Sequence, residues 1–291
     1  MPNHTYTLGF IGIGLMGKPM TLRLLEAGFK VNVWNRSQQK LATVVAAGAI
    51  AHQTVTSLLE ASDIVLLCLS DSQAVQDVIE HDIAPFVHRT RLIIDLSSIH
   101  PTTTQALARQ LEPLGVHWVD APVSGGVSGA EHGTLAIMAG GSVEDVEIAR
   151  QVLAPLYQRL THMGEVGSGQ ITKICNQMIV SCNVLVIAEM IALAQQAGVD
   201  AEKIPQALSG GFADSKPLQI VGPEMATAQF EPVKWHVKTL LKDLSMAVDI
   251  AGQHGKAIPM SGLAKQLMQL HGDRGFLNQD PATLIKLYRP D

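Results

Sequence analysis

A chain of 291 residues, 47% apolar and 16% charged, holds enough material for one large core or two of ordinary size. Its net charge of −5 and mean hydropathy of +0.20 fit a compact, slightly acidic protein, and give no electrostatic basis for binding nucleic acid or a membrane surface. The three cysteines, Cys68, Cys175 and Cys182, make no C-x-x-C pair. That argues against a disulfide framework and a zinc site, so no metal is expected and a reducing cytoplasm is the expected compartment.

The start, MPNHTYTLGFIGIG, has no basic region leading into a long apolar run, so no secretory signal is read there. Strands are predicted at 7–11, 30–34, 63–69, 91–96, 116–120 and 135–140, with a last short run near 158–163. Between most of them lie amphipathic stretches such as 20–28 and 102–115. Strands apolar on both faces and separated by helices indicate a mainly parallel sheet covered on both sides, an α/β fold of the doubly wound Rossmann type. The alternation stops in GEVGSG, near Gly164. Helical patterns alone follow, at about 168–197, 200–209, 215–228, 233–254, 259–271 and 281–288. The expected organisation is therefore a nucleotide-binding domain over 1–164 and an all-helical domain over 165–291.

The window from Ile174 to Leu193 is long enough to span a membrane, but it contains Asn176, Gln177, Ser181, Asn183 and Glu189. A buried helix is the better reading. So apolar a helix needs cover nearly all round, which points to a homodimer or homotetramer formed through this domain.

GFIGIGLMGKPM places Gly12, Gly14 and Gly17 in G-x-G-x-x-G spacing, after a strand and at the opening of a helix. Glycines there let the backbone turn tightly and approach a pyrophosphate at the helix N-terminus. Gly12, Ile13, Gly14, Leu15, Met16 and Gly17 are the expected cradle for a dinucleotide. At the end of the second strand a carboxylate would hold the ribose hydroxyl of NAD, whereas this chain reads Asn35, Arg36 and Ser37, with no carboxylate before Glu60. Arg36 can pair with a 2′-phosphate and Ser37 can donate to it, so NADP(H) is expected over NAD(H). Leu69 and Ser70, at the end of the strand at 63–69, and Ser98 in DLSSIHP complete the cofactor set, Ser98 towards the nicotinamide. His100, just before Pro101, reads as a turn residue rather than a base.

DAPVSGGVSGAEHGTL (120–135) reads as a loop rich in small residues, in which Ser124, Gly125 and Gly126 can form a concave anion site for a carboxylate. In GQITKICNQMIV, Lys173, Asn176 and Gln177 share a helix face by their i, i+3, i+4 spacing.

G-x-G-x-M-G-x-P-M at 12–20, D-A-P-V-S-G-G at 120–126, G-x-V-G-x-G-Q-x-x-K-x-x-N at 164–176 and K-D-L at 242–244 resemble the β-hydroxyacid dehydrogenase family in order and over nearly the whole chain. The resemblance implies a Rossmann domain followed by a helical one, a nicotinamide cofactor with Lys242 close to it, and Lys173 as catalytic residue. It also implies that Ser124 to Gly126 and Asn176 bind substrate. Within the family, KICNQMIV with its Gln177, ALSGGFADS and FEP are more similar to reductases of tartronate semialdehyde, which form D-glycerate, than to 3-hydroxyisobutyrate dehydrogenases. Lys173 as an ammonium would give its proton to the developing alkoxide, with Asn176 and Gln177 orienting lysine and substrate. A β-hydroxyacid dehydrogenase of 3-hydroxyisobutyrate, or of succinic or methylmalonate semialdehyde, type is the alternative. A non-catalytic NADPH sensor is the rival from another class, though it would be expected to lose the lysine or the S-G-G loop.

Overall fold

The Leu-, Ile- and Val-rich runs of the first half become parallel strands because both of their faces can be buried. The computed structural model describes residues 6–289; the first five residues of the start that was read for a targeting signal lie outside them. It opens with β1 (Thr7–Ile11), α1 (Gly17–Glu26), β2 (Lys30–Trp34), α2 (Ala42–Ala46), β3 (Ile50–Ala51), α3 (Val55–Glu60), β4 (Ile64–Leu67), α4 (Ser72–Asp77), β5 (Leu92–Asp95), α5 (Pro101–Leu111) and β6 (His117–Asp120). β7 (Val123–Ser124), α6 (Gly126–His132), β8 (Leu135–Gly140), α7 (Val143–Leu153) and β9 (Tyr157–Gly164) follow.

The nine strands of the described residues form one sheet in the order β3-β2-β1-β4-β5-β6-β8-β7, with β9 on β8. β1 to β6 pair in parallel. β8 runs antiparallel to β6 and β7 and parallel to β9. The 3-2-1-4-5-6 order is that of a Rossmann sheet, and it puts the topological switch point between β1 and β4. Every residue of β4 and β5 is buried. Around them pack Leu58, Leu59, Ile79, Ile83, Leu107 and Leu111 from one set of helices and connections.

Three details differ from the sequence reading. The strand expected at 63–69 stops at Leu67, which leaves Leu69 and Ser70 in the turn beyond it. β3 and β7 are two residues each, too short to show any hydrophobic period. The segment 120–135 is accordingly not an open loop: it contains β7 and the helix α6.

The chain separates into two compact units, one running to Lys173 and one from Ile174. The long helix α8 (Ser168–Gln196) is continuous through that point. After it come α9 (Ile204–Leu208), α10 (Lys216–Thr227), α11 (Val237–Gln253) and α12 (Pro259–His271), then a π-helical turn at Gly272–Phe276 and a 3-10 segment at Pro281–Leu287. The helix expected over 200–209 is split into a 3-10 turn at Ala201–Lys203 and α9, which has Pro205 in its first turn. Among the described residues no strand follows β9.

By length and composition α8 could cross a membrane. Its Val184, Leu185, Ile187, Ala188 and Ile191 instead form the centre of the second core, with Leu218, Val221 and Met225 of α10 and Leu240 and Leu244 of α11. Ile179, Val186 and Leu193 stay 67%, 54% and 71% exposed. They recur at seven-residue intervals, so they form a single stripe along the helix.

A buried histidine makes the second unit sensitive to acid. The hydroxyl of Thr283 donates to the Asp280 carbonyl at 2.6 Å, so its oxygen accepts from His271 Nε2 at 2.9 Å. The ring also stacks on Phe276 at 4.4 Å. Burial, then the nearby cations Lys286 and Arg274, push its pKa from 6.5 down to about 4. A folded value below the unfolded one means stability that is fully present above pH 6.5 and is lost as pH falls towards 4. Urea midpoints of the wild type should therefore fall between pH 7 and pH 4.5 more steeply than those of His271→Gln, which keeps a donor for Thr283 and does not titrate; equal slopes would refute the assignment.

Candidate active site

The glycine turn is built by close packing. Gly12 has φ +103, and a side chain there would run into the Cys68 carbonyl. One on Gly17 would meet the carbonyl of Gly12, so α1 begins directly against the turn. Gly14 differs: a Cβ added there would meet nothing within 4 Å. That open space is the cradle a phosphate needs, and the turn fits the nucleotide implied by the spacing. Ile13 and Met16 lie within the turn, while Leu15 projects from it.

Asn35 braces this turn. Its Oδ1 accepts from Ile13 N at 2.9 Å and its Nδ2 donates to the Ser37 carbonyl at 2.9 Å. The sequence reading counted Asn35 only among the cofactor residues; the structure adds a bracing role that spacing could not reveal. Arg36 and Ser37 are exposed beside it, and Ser37 makes no side-chain cap to the 3-10 turn at Gln38–Leu41.

At the carboxyl ends of β4 and β5 the loops are stitched together. Leu69 N donates to Ser97 Oγ at 2.9 Å, Ser97 N to Asp95 Oδ1 at 2.9 Å, and His100 N to Ser72 Oγ at 3.0 Å. Ser97 is buried, whereas Ser98 is half-buried and Ser70 exposed. Ser70 Oγ donates to Asp71, whose other carboxylate oxygen caps α4. His100 is the N-cap of α5, its ring accepting from Thr102 N at 3.3 Å, a structural use in keeping with a turn residue.

Ser124 pairs with Ala136 in the sheet, and Gly125 and Gly126 carry the chain into α6 at φ +137 and +64. Those values explain why both positions are glycine. Four residues back, the buried Asp120 ends β6 and accepts from Gly167 N at 2.7 Å and Gln170 N at 2.8 Å. Burial pushes its carboxyl up to about 6, against the pull of the backbone N–H bonds from Gly167 and Gln170. A side chain on Gly140 or Gly169 would come within 2.6 or 2.7 Å of that carboxylate. These glycines allow the start of α8 to close on the end of β6.

Lys173 lies one turn into α8 and is 9% exposed. In the second unit Asn176 Nδ2 donates to Gln177 Oε1 at 2.8 Å, and Gln177 Nε2 donates to Asp243 Oδ2 at 2.6 Å. Asp243 is buried, and its Oδ1 is 3.4 Å from Lys242 Nζ. Gln177, expected to touch substrate, has both ends of its amide engaged by neighbours and links Asn176 to Asp243. Asp120, Gln170, Ser97 and Asp243 were given no role from sequence. All four stood inside quoted motifs, but nothing in a motif states which distant group a side chain will meet.

Residues 7–164 match the family model described as the NAD-binding domain of 6-phosphogluconate dehydrogenase. Residues 167–288 match the one described as NAD-binding of NADP-dependent 3-hydroxyisobutyrate dehydrogenase. The 2-hydroxy-3-oxopropionate reductase of Escherichia coli is 34% identical over 96% of this chain and 96% of its own. The 3-hydroxyisobutyrate dehydrogenase of Pseudomonas aeruginosa is 32% identical over 97% and 98%. Among solved structures, the 3-hydroxyisobutyrate dehydrogenase of Mycobacterium tuberculosis with L-serine superposes with a TM-score of 0.89 at 26% identity, covering 99% of this chain and 100% of that one. Sheet order, glycine turn and these matches define an NAD(P)-dependent oxidoreductase acting on a hydroxyl or aldehyde group. The chain belongs to the β-hydroxyacid dehydrogenase family.

Proposed function

We propose that the protein is an NADPH-dependent reductase of a small carboxylated aldehyde, converting tartronate semialdehyde (2-hydroxy-3-oxopropionate) to D-glycerate. The observation that carries the chemistry is Lys173: a buried lysine early in a helix whose other charged residue is Glu189. Gln177 and the 34% identity to a 2-hydroxy-3-oxopropionate reductase support the choice of substrate. The bound nucleotide supplies the hydride.

Lys173 hydrogen-bonds the carbonyl oxygen, meets its growing negative charge and gives up the proton. Ser124, Gly125 and Gly126 hold the carboxylate. Asn176 orients lysine and substrate, and Gln177 contributes by fixing Asn176. Gly12 to Gly17, Asn35, Arg36, Ser37, Leu69, Ser70 and Ser98 hold the nucleotide, with Lys242 close to it. The nucleotide domain is taken as 1–164 and the helical domain as 165–291. The stripe of Ile179, Val186 and Leu193 is read as a homo-oligomer contact, giving a dimer or tetramer. The protein is read as cytoplasmic, with neither nucleic acid nor membrane as partner.

The test is NADPH oxidation across tartronate semialdehyde, methylmalonate semialdehyde, succinic semialdehyde and glyoxylate. The highest kcat/KM is expected with tartronate semialdehyde. A clear preference for methylmalonate semialdehyde would move the protein to the 3-hydroxyisobutyrate type, the reading that the 32% identical dehydrogenase favours.

A further inference from the structure

Gln170 is fully buried in the first turn of α8, three residues before Lys173. Its Nε2 donates to the Ser97 carbonyl at 2.9 Å, and its Oε1 accepts from Ile99 N at 3.2 Å. The two peptide groups it grips lie on either side of Ser98. Its own backbone N–H is held by Asp120, and Ser97 in turn holds Leu69 through Oγ. A continuous set of hydrogen bonds thus runs from the end of β4, through the end of β5, to the helix that bears the lysine.

A carboxamide suits this position because it offers a donor and an acceptor side by side, as a peptide group does. A carboxylate has no donor for the Ser97 carbonyl, and an ammonium has no acceptor for Ile99 N–H. Because Gln170 is fully buried, either change leaves one of these backbone groups without its bond.

We propose that Gln170 is a positioning residue of the reaction: its amide locks the segment carrying Ser98, at the nicotinamide end of the nucleotide, to the first turn of the helix that presents Lys173. The proposal rests on Lys173 as proton donor and Ser98 as nicotinamide contact. The clamp fixes where the reduced ring lies relative to the lysine, and small errors in that geometry reduce the population able to react.

The experiment compares wild type, Gln170→Met, which keeps length and volume without either bond, and Gln170→Glu, which keeps the acceptor alone. For the Met variant, kcat should fall roughly 10- to 100-fold, while KM for the aldehyde moves far less. The primary isotope effect with NADPH deuterated at the transferred position should rise as hydride transfer becomes limiting. Affinity for 2′,5′-ADP, which reports the adenosine half alone, should stay unchanged, while the fluorescence of bound NADPH shifts. The Glu variant, which sets an oxygen against the Ser97 carbonyl, should lose kcat at least as far, and it serves as the probe if the Met variant does not fold.

Wild-type kcat and isotope effect in the folded variant would overturn the proposal. So would a variant whose lost activity only tracks its lost folded fraction. If the wild type itself oxidises NADPH with no aldehyde, the reading of the reaction fails separately; the clamp is then judged on NADPH fluorescence against 2′,5′-ADP affinity, and an unshifted emission sinks it.

Discussion

Lys173→Ala should lower kcat roughly a thousandfold, within the range typical of a positioned general acid, with NADPH affinity unchanged. The reasoning begins with burial. A lysine that is 9% exposed has surrendered most of its hydration, so its ammonium must be met by oriented groups or by the substrate. On α8 it follows Gln170 by three residues and precedes Asn176 by three, so amides flank it on one face of the helix. Removing it leaves the glycine turn of the first unit untouched, which is why nucleotide binding should survive. Lys173→Arg separates the two parts of the role. Arginine keeps the positive charge and its hydrogen bonds but does not release a proton near neutral pH. A largely inactive arginine variant assigns the loss to proton transfer, and a largely active one assigns it to electrostatic stabilisation. Single-turnover oxidation of NADPH, with circular dichroism as the folding control, gives the answer. Near-normal turnover of Lys173→Ala would remove the lysine from the mechanism.

How much of this could be read beforehand depends on how local the cause is. β1, β2 and β8 fall at the bounds read from sequence because each is an apolar run closed by glycine or polar residues. α8 agrees within one residue for a similar reason: glycines precede it and Gly198 follows it. β3 and β7 were missed because two residues carry no period. The cofactor turn was legible since its requirement is steric and lies within six residues, Gly12 to Gly17.

The polar framework was not legible. Asp120 meets Gly167 and Gln170 across 47 and 50 positions, and Gln170 meets Ser97 across 73. Gln177 marks the limit most clearly. Its spacing placed it correctly on the face of Lys173 and Asn176, yet its amide is committed to Asn176 and to Asp243, 66 residues on. Spacing tells which way a side chain points on its own helix; only tertiary structure tells what it finds there.

Asn35→Asp should shift the ratio of kcat/KM for NADPH over NADH towards NADH by roughly 10- to 100-fold, the range expected for placing a carboxylate near a phosphate at an exposed site. The substitution is informative because of the bond that Asn35 makes to Ile13. Aspartate keeps the Oδ1 acceptor for Ile13 N, so the brace under the glycine turn survives, and only the donation to the Ser37 carbonyl is lost. The new charge then acts on the nucleotide: it can accept from a ribose 2′-OH and it repels a 2′-phosphate. Arg36→Ala approaches the same point from the other side. Arg36 is exposed, so its removal should cost the fold little. It should weaken NADPH through the lost charge-assisted pair with the phosphate and leave NADH nearly unchanged. Steady-state kinetics with both nucleotides distinguish the cases. If the wild type uses NADH and NADPH equally well, and neither variant changes their ratio, the segment Asn35–Ser37 does not read the 2′-position, and discrimination must come from residues beyond this turn.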